Sequence, residues 1–189
     1  MIISLVGSHG TGKTAVFEQI RLKHPEYQYF KEGVRHQVPS FGYGDPYKIV
    51  DEYGIGIFEV MNINSWSVID PNVNTRLDTN GTIVTDRSSV DNYAYFLTLK
   101  KQGDIKLQRI IKQMAEYYAS LVDRFVYFPT GAVRLQKDHM RPGGDNYQKS
   151  VDENIRKAFE DLGVPKPKIH HLQSYSVEER VEEVLGLVE

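Results

Sequence analysis

The feature that most constrains this chain is a glycine-rich run directly after a short apolar segment near the start of the sequence. The segment from Ile2 to Val6 is almost continuously apolar, as expected of a strand that is buried on both faces of a sheet. The run that follows, GSHGTGKT at residues 7–14, matches the pattern G-x-x-x-x-G-K-[ST]. In this strand–turn–helix setting the pattern predicts a phosphate-binding loop within an α/β fold.

The chemistry expected of this loop follows from its backbone. Glycines allow successive N–H groups to turn inward around one phosphate, and the positive end of the following helix faces the same anion. We predict that the Lys13 ammonium reaches the β- and γ-phosphates, while the Thr14 hydroxyl ligates Mg²⁺. The residues predicted to bind the nucleotide are Gly7, His9, Gly10, Thr11, Gly12, Lys13, Thr14 and Ala15.

The rest of the chain alternates apolar runs with helical patterns, which indicates a parallel sheet covered by helices. With 189 residues, of which 40% are hydrophobic, the chain has the size of a single domain. The strands are predicted at 2–6, 28–31, 82–85, 124–128 and 168–172. The segment 49–69 is predicted to be helical, and residues 39–48 to form a loop.

The ends of the predicted strands carry the remaining candidate residues, because ligands of such sheets bind at the carboxyl ends of the strands. Glu32 follows the second strand, where a carboxylate can act as general base toward a hydroxyl. Arg35, three residues on, can hold a substrate anion. A solvated turn is the alternative for this pair.

An acid and a cation follow the third predicted strand. Asp86 stands where proteins with this loop carry a second carboxylate associated with Mg²⁺. Arg87 is placed to grip an acceptor or its phosphate. The alternative is a helix cap at Asp86 with Arg87 as its ion-pair partner. A hydrolytic ATPase usually has a second acid directly after the first, whereas Arg87 follows Asp86 in this chain.

The segment 130–146 combines cations with glycines beyond the fourth strand. We predict that it forms a lid that closes over ATP and brings Arg134 or Arg141 to the transferred phosphoryl group. A polar surface loop is the alternative. Residues 39–80 are predicted to form an insertion at the acceptor site, where Tyr43 and Trp66 can stack on a base.

The composition narrows the classes of protein. A net charge of −2 disfavours a module that only binds DNA, although Tyr43, Lys48, Lys100 and Lys101 can still line a local groove. The chain has no cysteine, and no apolar run reaches the roughly 18–20 residues that span a bilayer. We therefore expect a soluble cytoplasmic protein without a membrane partner. The exposed face of the helix at 105–121 is a candidate for pairing with a second copy.

Three motifs, GSHGTGKT, KEGVR and TDRSSVDNYAY, resemble those of P-loop nucleoside and nucleotide kinases. The chain is most similar to short single-domain AAA-type kinases of phages and bacteria, and to the kinase domain that acts on ribosylnicotinamide. The resemblance implies a three-layer α/β/α sandwich with five parallel strands and a lid after the fourth. In deoxynucleoside kinases the acid after the second strand is the base, which corresponds to Glu32. Their E-R-S corresponds to Asp86-Arg87-Ser88, where thymidylate kinases have D-R-[YWH].

These observations predict an ATP- and Mg²⁺-dependent phosphotransferase with a nucleoside- or nucleotide-like acceptor. Two alternatives stay open. A related group of phage enzymes phosphorylates hydroxymethylated pyrimidines within DNA, and this resemblance implies a polymer acceptor such as 5-hydroxymethyluracil. A nucleotide-dependent switch or regulatory ATPase is the alternative that is not a kinase.

Overall fold

A computed structural model of the chain describes residues 1–31, 38, 42–43, 46–99, 105–131 and 145–188. Within these residues there are five strands, and each predicted strand is confirmed to within one residue at either end. They are β1 (Ile2–Val6), β2 (Gln28–Lys31), β3 (Ile83–Asp86), β4 (Arg124–Tyr127) and β5 (Ile169–His171).

The strands form one parallel sheet in the order β2-β3-β1-β4-β5. Strand β1 is central, and Ile3 is in register with Val84 on one side and with Arg124 on the other. The chain leaves β1 toward one edge of the sheet and later crosses to the other, so the end of β1 is the point where the connections diverge. Crevices at such points bind ligands in open α/β sheets, and the loop at residues 7–14 begins here.

Helices cover both faces of the sheet. They are α1 (Lys13–Lys23), α2 (Pro46–Tyr53), α3 (Ile55–Asn64), α4 (Ser89–Leu99), α5 (Ile105–Ser120), α6 (Asp145–Asp161) and α7 (Val177–Leu185). Consecutive strand residues point to opposite faces, which divides the core in two. Val84 and Val126 join α1 and α7 in one apolar cluster, whereas Ile83 and Phe125 join the helices α4, α5 and α6 in the other. The predicted three-layer α/β/α arrangement is confirmed.

The segment 49–69 is helical, as predicted, and it is divided into α2, α3 and a 3-10 helix at Ser65–Ile69. Gly54 separates α2 from α3 with φ 81°, and its N–H donates to the Val50 carbonyl. A residue with positive φ ends a helix in this way, and glycine adopts that conformation without steric cost. The loop predicted at residues 39–48 is too long by three residues, because α2 begins at Pro46. Proline suits the first position of a helix.

A carboxylate of α7 organises the connection that leads from β5 into this helix. Glu183 accepts hydrogen bonds from His170 Nε2 at 2.6 Å, from the Gln173 and Ser174 backbone N–H groups at 3.0 and 2.9 Å, and from Ser174 Oγ at 2.6 Å. Burial raises the pKa of the Glu183 carboxyl, but the bonds from Ser174, His170 and the backbone outweigh it and lower the pKa to about 2.

Among the described residues, no helix combines the length and the apolar character that are needed to cross a bilayer.

Replacing Glu183 tests this connection. Because the folded pKa lies below the reference value of 4.5, the carboxylate stabilises the fold above about pH 4.5, and this contribution is lost as the pH falls toward 2. The difference corresponds to roughly 3 kcal/mol at most. We expect Glu183→Gln to lower the free energy of urea unfolding at pH 7 by about 1–3 kcal/mol.

The unfolding free energies of Glu183→Gln and of the wild type should converge as the pH approaches 2. Glu182→Gln is the matched control, since this neighbouring carboxylate is exposed and pairs only with Lys23 among the described contacts. We expect no measurable change from it. Equal losses for the two variants would contradict the special role of Glu183.

Candidate active site

The loop at residues 7–14 joins the end of β1 to the first residue of α1. Gly10 and Gly12 have φ of 73° and 91°, a left-handed conformation that side chains other than glycine rarely adopt. Gly12 is the N-cap of α1, and no side chain caps the N–H groups of the first turn. The turn therefore presents N–H donors and the positive helix end to an anion.

Close packing fixes the first glycine of the loop. A Cβ atom at Gly7 would lie 2.6 Å from the backbone oxygen of Phe128, which follows β4. A side chain at this position would separate the loop from the neighbouring strand. The pattern's first glycine is thus required by contact between the loop and the sheet.

The ammonium group of Lys13 lies inside the loop. Its Nζ donates to the carbonyls of Gly7 at 2.6 Å and Ser8 at 2.7 Å, and to Thr11 Oγ1 at 3.2 Å. The side chain is buried. A cation enclosed by the loop in this way is placed to neutralise phosphate oxygens.

Thr14 and Asp86 meet at the edge of the loop. The Thr14 hydroxyl donates to Asp86 Oδ2 at 2.8 Å. The second oxygen, Asp86 Oδ1, is buried and has no hydrogen-bond partner among the described residues. A hydroxyl and a carboxylate with one unsatisfied oxygen are hard oxygen ligands of the kind that Mg²⁺ takes beside phosphates. The two side chains predicted to hold Mg²⁺ therefore lie together and fit the ion.

Arg87 has an unusual backbone. With φ 83°, it is the only residue other than glycine with positive φ in the described part of the chain. Its N–H donates to the Leu5 carbonyl at 3.0 Å, and its own carbonyl accepts from Thr85 Oγ1 at 2.7 Å. Strain of this kind persists where the surrounding structure imposes it, and it is concentrated at functional sites.

The Arg87 side chain turns toward the loop. Its guanidinium carbon lies 5.1 Å from the centre of the Tyr95 ring, and Nη1 lies 3.9 Å from Asp91 Oδ1. The bond from Thr14 to Asp86 and the position of Asp91 beside Arg87 favour separate roles for Asp86 and Arg87 over the alternative of a local ion pair.

Several residues that sequence reasoning missed contact the loop from distant helices. Asp91 of α4 accepts from the Gly7 N–H at 3.1 Å. Gln148 Nε2 of α6 donates to the His9 carbonyl at 2.7 Å, and Arg180 Nη1 of α7 donates to the Thr11 carbonyl at 2.9 Å. Buried Gln and Arg side chains on apolar helix faces are a weak signal of such contacts, but their partners cannot be read from spacing.

His9 is buried within the loop. Tyr95 Oη lies 3.4 Å from His9 Nδ1, and the Tyr147 ring lies 5.5 Å from the imidazole. With its carbonyl held by Gln148, His9 takes part in the packing beneath the loop.

The two aromatic residues predicted to stack on a base occupy different surroundings. Trp66 is only 2% exposed and belongs to the larger apolar cluster. Its Nε1 donates to Asn92 Oδ1 at 2.8 Å, and Asn92 Nδ2 donates to Glu59 Oε2 at 3.1 Å. This burial does not support stacking on Trp66. Tyr43 is partly exposed and its hydroxyl donates to the Glu52 carboxylate.

Glu32, Arg35, Arg134 and Arg141 lie outside the described residues, as do Lys100 and Lys101. Their roles, and the lid, stay predictions. The same holds for the assignment of residues 39–80 to the acceptor site. Ala15 is exposed in the first turn of α1, and its contact with a bound nucleotide stays a prediction.

The family model described as "AAA domain" matches residues 2–180. The chain belongs to this family. No curated protein sequence matches it. The AAA-domain assignment agrees with the phosphate loop and the parallel sheet described above, and the match includes the whole sheet.

Solved structures place this AAA-domain chain in the fold of the P-loop kinases. NadR in complex with NR has a TM-score of 0.71 at 14% identity, over 99% of this chain and 49% of that chain, so the chain spans about half of NadR. Deoxyadenosine kinase from M. mycoides with bound dATP has 0.64 at 19% identity, over 100% and 99%. Shikimate kinase from Acinetobacter baumannii in complex with shikimate has 0.57 at 15%, over 99% and 92%. At these identities the likeness concerns the fold.

Two substitutions at Arg87 separate backbone strain from side-chain function. Both Arg87→Gly and Arg87→Ala remove the guanidinium, but only glycine relieves the left-handed conformation, which costs about 1–2 kcal/mol for other residues. The greater entropy of glycine in the unfolded chain opposes this gain in stability by roughly 0.4–1 kcal/mol. We expect Arg87→Gly to be more stable than Arg87→Ala by roughly 1 kcal/mol in urea unfolding. The binding of an acceptor or its phosphate, which is predicted for the guanidinium, should be lost in both variants. Arg87→Gly that is less stable than Arg87→Ala by roughly 0.4–1 kcal/mol would show that the backbone is not strained.

Proposed function

We propose that this protein is an ATP- and Mg²⁺-dependent phosphotransferase that moves the γ-phosphate of ATP to a hydroxyl group of a nucleoside- or nucleotide-like acceptor. The observation that carries the proposal is the junction of the loop with β3. There the enclosed Lys13 ammonium lies in the same loop as the Thr14 hydroxyl, which is bonded to Asp86 at 2.8 Å. Phosphoryl transfer relies mainly on positioning and charge neutralisation, which is what these groups offer.

The residues of the loop and of β3 have distinct roles in this proposal. Loop N–H groups and Lys13 bind the β- and γ-phosphates. Thr14 and Asp86 hold Mg²⁺, which when bound neutralises charge on the phosphate oxygens. Arg87 binds the acceptor or its phosphate.

Residues outside the described part complete the proposed chemistry. Glu32 takes the proton of the acceptor hydroxyl as general base. Arg35 helps to bind the acceptor, and Arg134 or Arg141 neutralises charge that develops during transfer. Excluding water during transfer, as a lid would, separates a kinase from an ATPase.

The proposed class of acceptor rests on the similarity to solved structures and on the net charge of the chain. Structures with this fold include deoxyadenosine kinase, thymidylate kinase and NadR with NR. These names support a small nucleoside-like acceptor, whereas shikimate kinase shows that the fold also serves an unrelated hydroxyl compound. The net charge of −2 gives no general attraction to a DNA polymer. The cytoplasmic location and the pairing with a second copy stay predictions.

A transfer screen tests the proposal directly. The protein is incubated with Mg²⁺ and ATP labelled at the γ-phosphate, together with free nucleosides, nucleoside monophosphates, shikimate, or duplex DNA with and without 5-hydroxymethyluracil. Label on a nucleoside or monophosphate is the expected result. Label only on modified DNA would identify a DNA kinase, and label released only as free phosphate would favour a switch or regulatory ATPase. Either result would overturn the proposed acceptor.

Lys13→Ala is expected to lower kcat by about 100- to 1000-fold, because one charged donor to the transferred group is lost. Circular dichroism should show that the helices and strands are retained. Lys23→Ala, in the last turn of the same helix α1, is the matched control, since its Nζ pairs with Glu182 at the surface. An unchanged rate for Lys13→Ala would refute the role of the loop in transfer.

Asp86→Asn is expected to raise the Mg²⁺ concentration for half-maximal rate and to lower kcat, because the amide is a weaker Mg²⁺ ligand than the carboxylate. Binding of ADP without Mg²⁺ should remain close to that of the wild type. Asp123→Asn is the control, since Asp123 accepts from the Ile2 N–H at 2.8 Å at the opposite end of β1. A Mg²⁺ requirement that is the same in both variants would exclude Asp86 as a ligand.

A further inference from the structure

A carboxylate buried behind the loop connects two parts of the site that are far apart in the sequence. Asp91 lies in the first turn of α4 and is 0% exposed. Its oxygens face the loop on one side and the turn after β3 on the other. The transfer chemistry proposed above assigns it no role.

The two oxygens of Asp91 have different partners. Oδ1 accepts from the Gly7 N–H at 3.1 Å and lies 3.9 Å from Arg87 Nη1. Oδ2 accepts from the Ser88 N–H at 2.9 Å and from Ser88 Oγ at 3.2 Å. One carboxylate thus connects the first residue of the phosphate loop to the residues that directly follow Asp86.

A helix start alone does not require this carboxylate. A buried charge costs free energy unless it is paired and hydrogen-bonded, and a neutral amide side chain at this third helical position could also accept from the Ser88 N–H. Burial raises the pKa of the Asp91 carboxyl, while the positive charges of Arg87 and Lys13 oppose the rise. Both of these cations favour the ionised carboxylate, and Arg87 Nη1 lies 3.9 Å from its Oδ1.

Gly7 is held from two sides. A Cβ atom at Gly7 would lie 2.6 Å from the Phe128 oxygen on the sheet side, and its N–H bonds to Asp91 on the side of α4. Because the amides of the loop follow Gly7 along the chain, this anchor sets where they point. The guanidinium of Arg87 lies beside the same carboxylate, with Nη1 3.9 Å from Oδ1.

We propose that Asp91 is a positioning residue of the phosphate site, which aligns the loop amides toward the nucleotide phosphates and holds the Arg87 guanidinium where the γ-phosphate meets the acceptor. It acts through Gly7 and Arg87 and does not contact the nucleotide. The inference rests on the nucleotide binding that the proposed function requires, but not on the identity of the acceptor.

Nucleotide affinity is the first test. Binding of ADP and of a non-hydrolysable ATP analogue with Mg²⁺ is measured by calorimetry at a temperature well below the unfolding transition of each variant. Asparagine has the shape of Asp91 but neither its charge nor its second acceptor. We expect Asp91→Asn to raise the Kd by about tenfold, as expected for loss of one charge-assisted hydrogen bond that positions the loop.

Ser89→Ala is the matched control. Ser89 is buried at the same helix start, but its hydroxyl donates to the Ala115 carbonyl at 2.9 Å on the side of α5. It should leave the Kd within about twofold of the wild type, even where it lowers the melting temperature.

A double-mutant cycle with Arg87 distinguishes positioning from a general structural role. If Asp91 acts partly through Arg87, the effect of Asp91→Asn on the ATP-analogue Kd is smaller in an Arg87→Ala background than in the wild type. A purely structural role gives the same effect in both backgrounds. In the transfer assay the KM for ATP should rise together with the fall in kcat, whereas a smaller folded fraction lowers kcat alone.

Each outcome decides the proposal. A Kd for Asp91→Asn within twofold of the wild type, or tighter binding, overturns it. If Asp91→Asn does not fold, Ser88→Ala is the second variant, which removes one contact to Oδ2 together with the bond that the Ser88 hydroxyl accepts from the Val90 N–H. It should raise the Kd by about threefold. An unchanged Kd with a lowered melting temperature overturns the proposal. Wild-type protein that binds nucleotide but transfers label to no acceptor refutes the proposed function and leaves the role of Asp91 standing.

Discussion

The position of β1 in the middle of the sheet is the constraint on which the site depends. The strand pairs with β3 and β4 along both edges and is covered on both faces, so the point where it ends is fixed from every side. A loop of small residues can turn there only if it packs against the neighbouring strand, as Gly7 does against Phe128. The rigid sheet thereby sets the place of a loop whose own sequence favours flexibility.

The edge of the sheet brings together side chains of opposite charge. Lys13 and Arg87 carry positive charge that would repel in an enclosed site, and Asp86 and Asp91 lie beside them. Asp91 is fully buried and accepts hydrogen bonds at both oxygens, whereas Asp86 keeps a buried oxygen without a partner in the described residues. Asp91 thus stabilises the site, whereas Asp86 has an oxygen that is available to a ligand. These different roles suit phosphoryl transfer, where charge must be neutralised at defined points.

Support for the loop comes from elements that are late in the chain. Gln148 and Arg180 bind loop carbonyls, and Glu183 orders the connection that precedes α7. Turning carbonyls outward leaves the N–H groups to face the interior of the loop. The Arg180 guanidinium also joins the loop to the Ser174 carbonyl. Folding of the last helix is therefore coupled to the shape of a site that begins at residue 7.

The sequence by itself determined the strands, the helical character of residues 49–69 and the phosphate loop, because each depends on residues within a few positions of one another. It also placed Thr14 and Asp86 at one edge through the rule for parallel strands. Only the tertiary structure decided the strand order, the burial of Trp66 and the bond between Gly7 and Asp91, which spans 84 positions. Such contacts follow from how helices pack on the sheet, and local patterns carry no record of that packing.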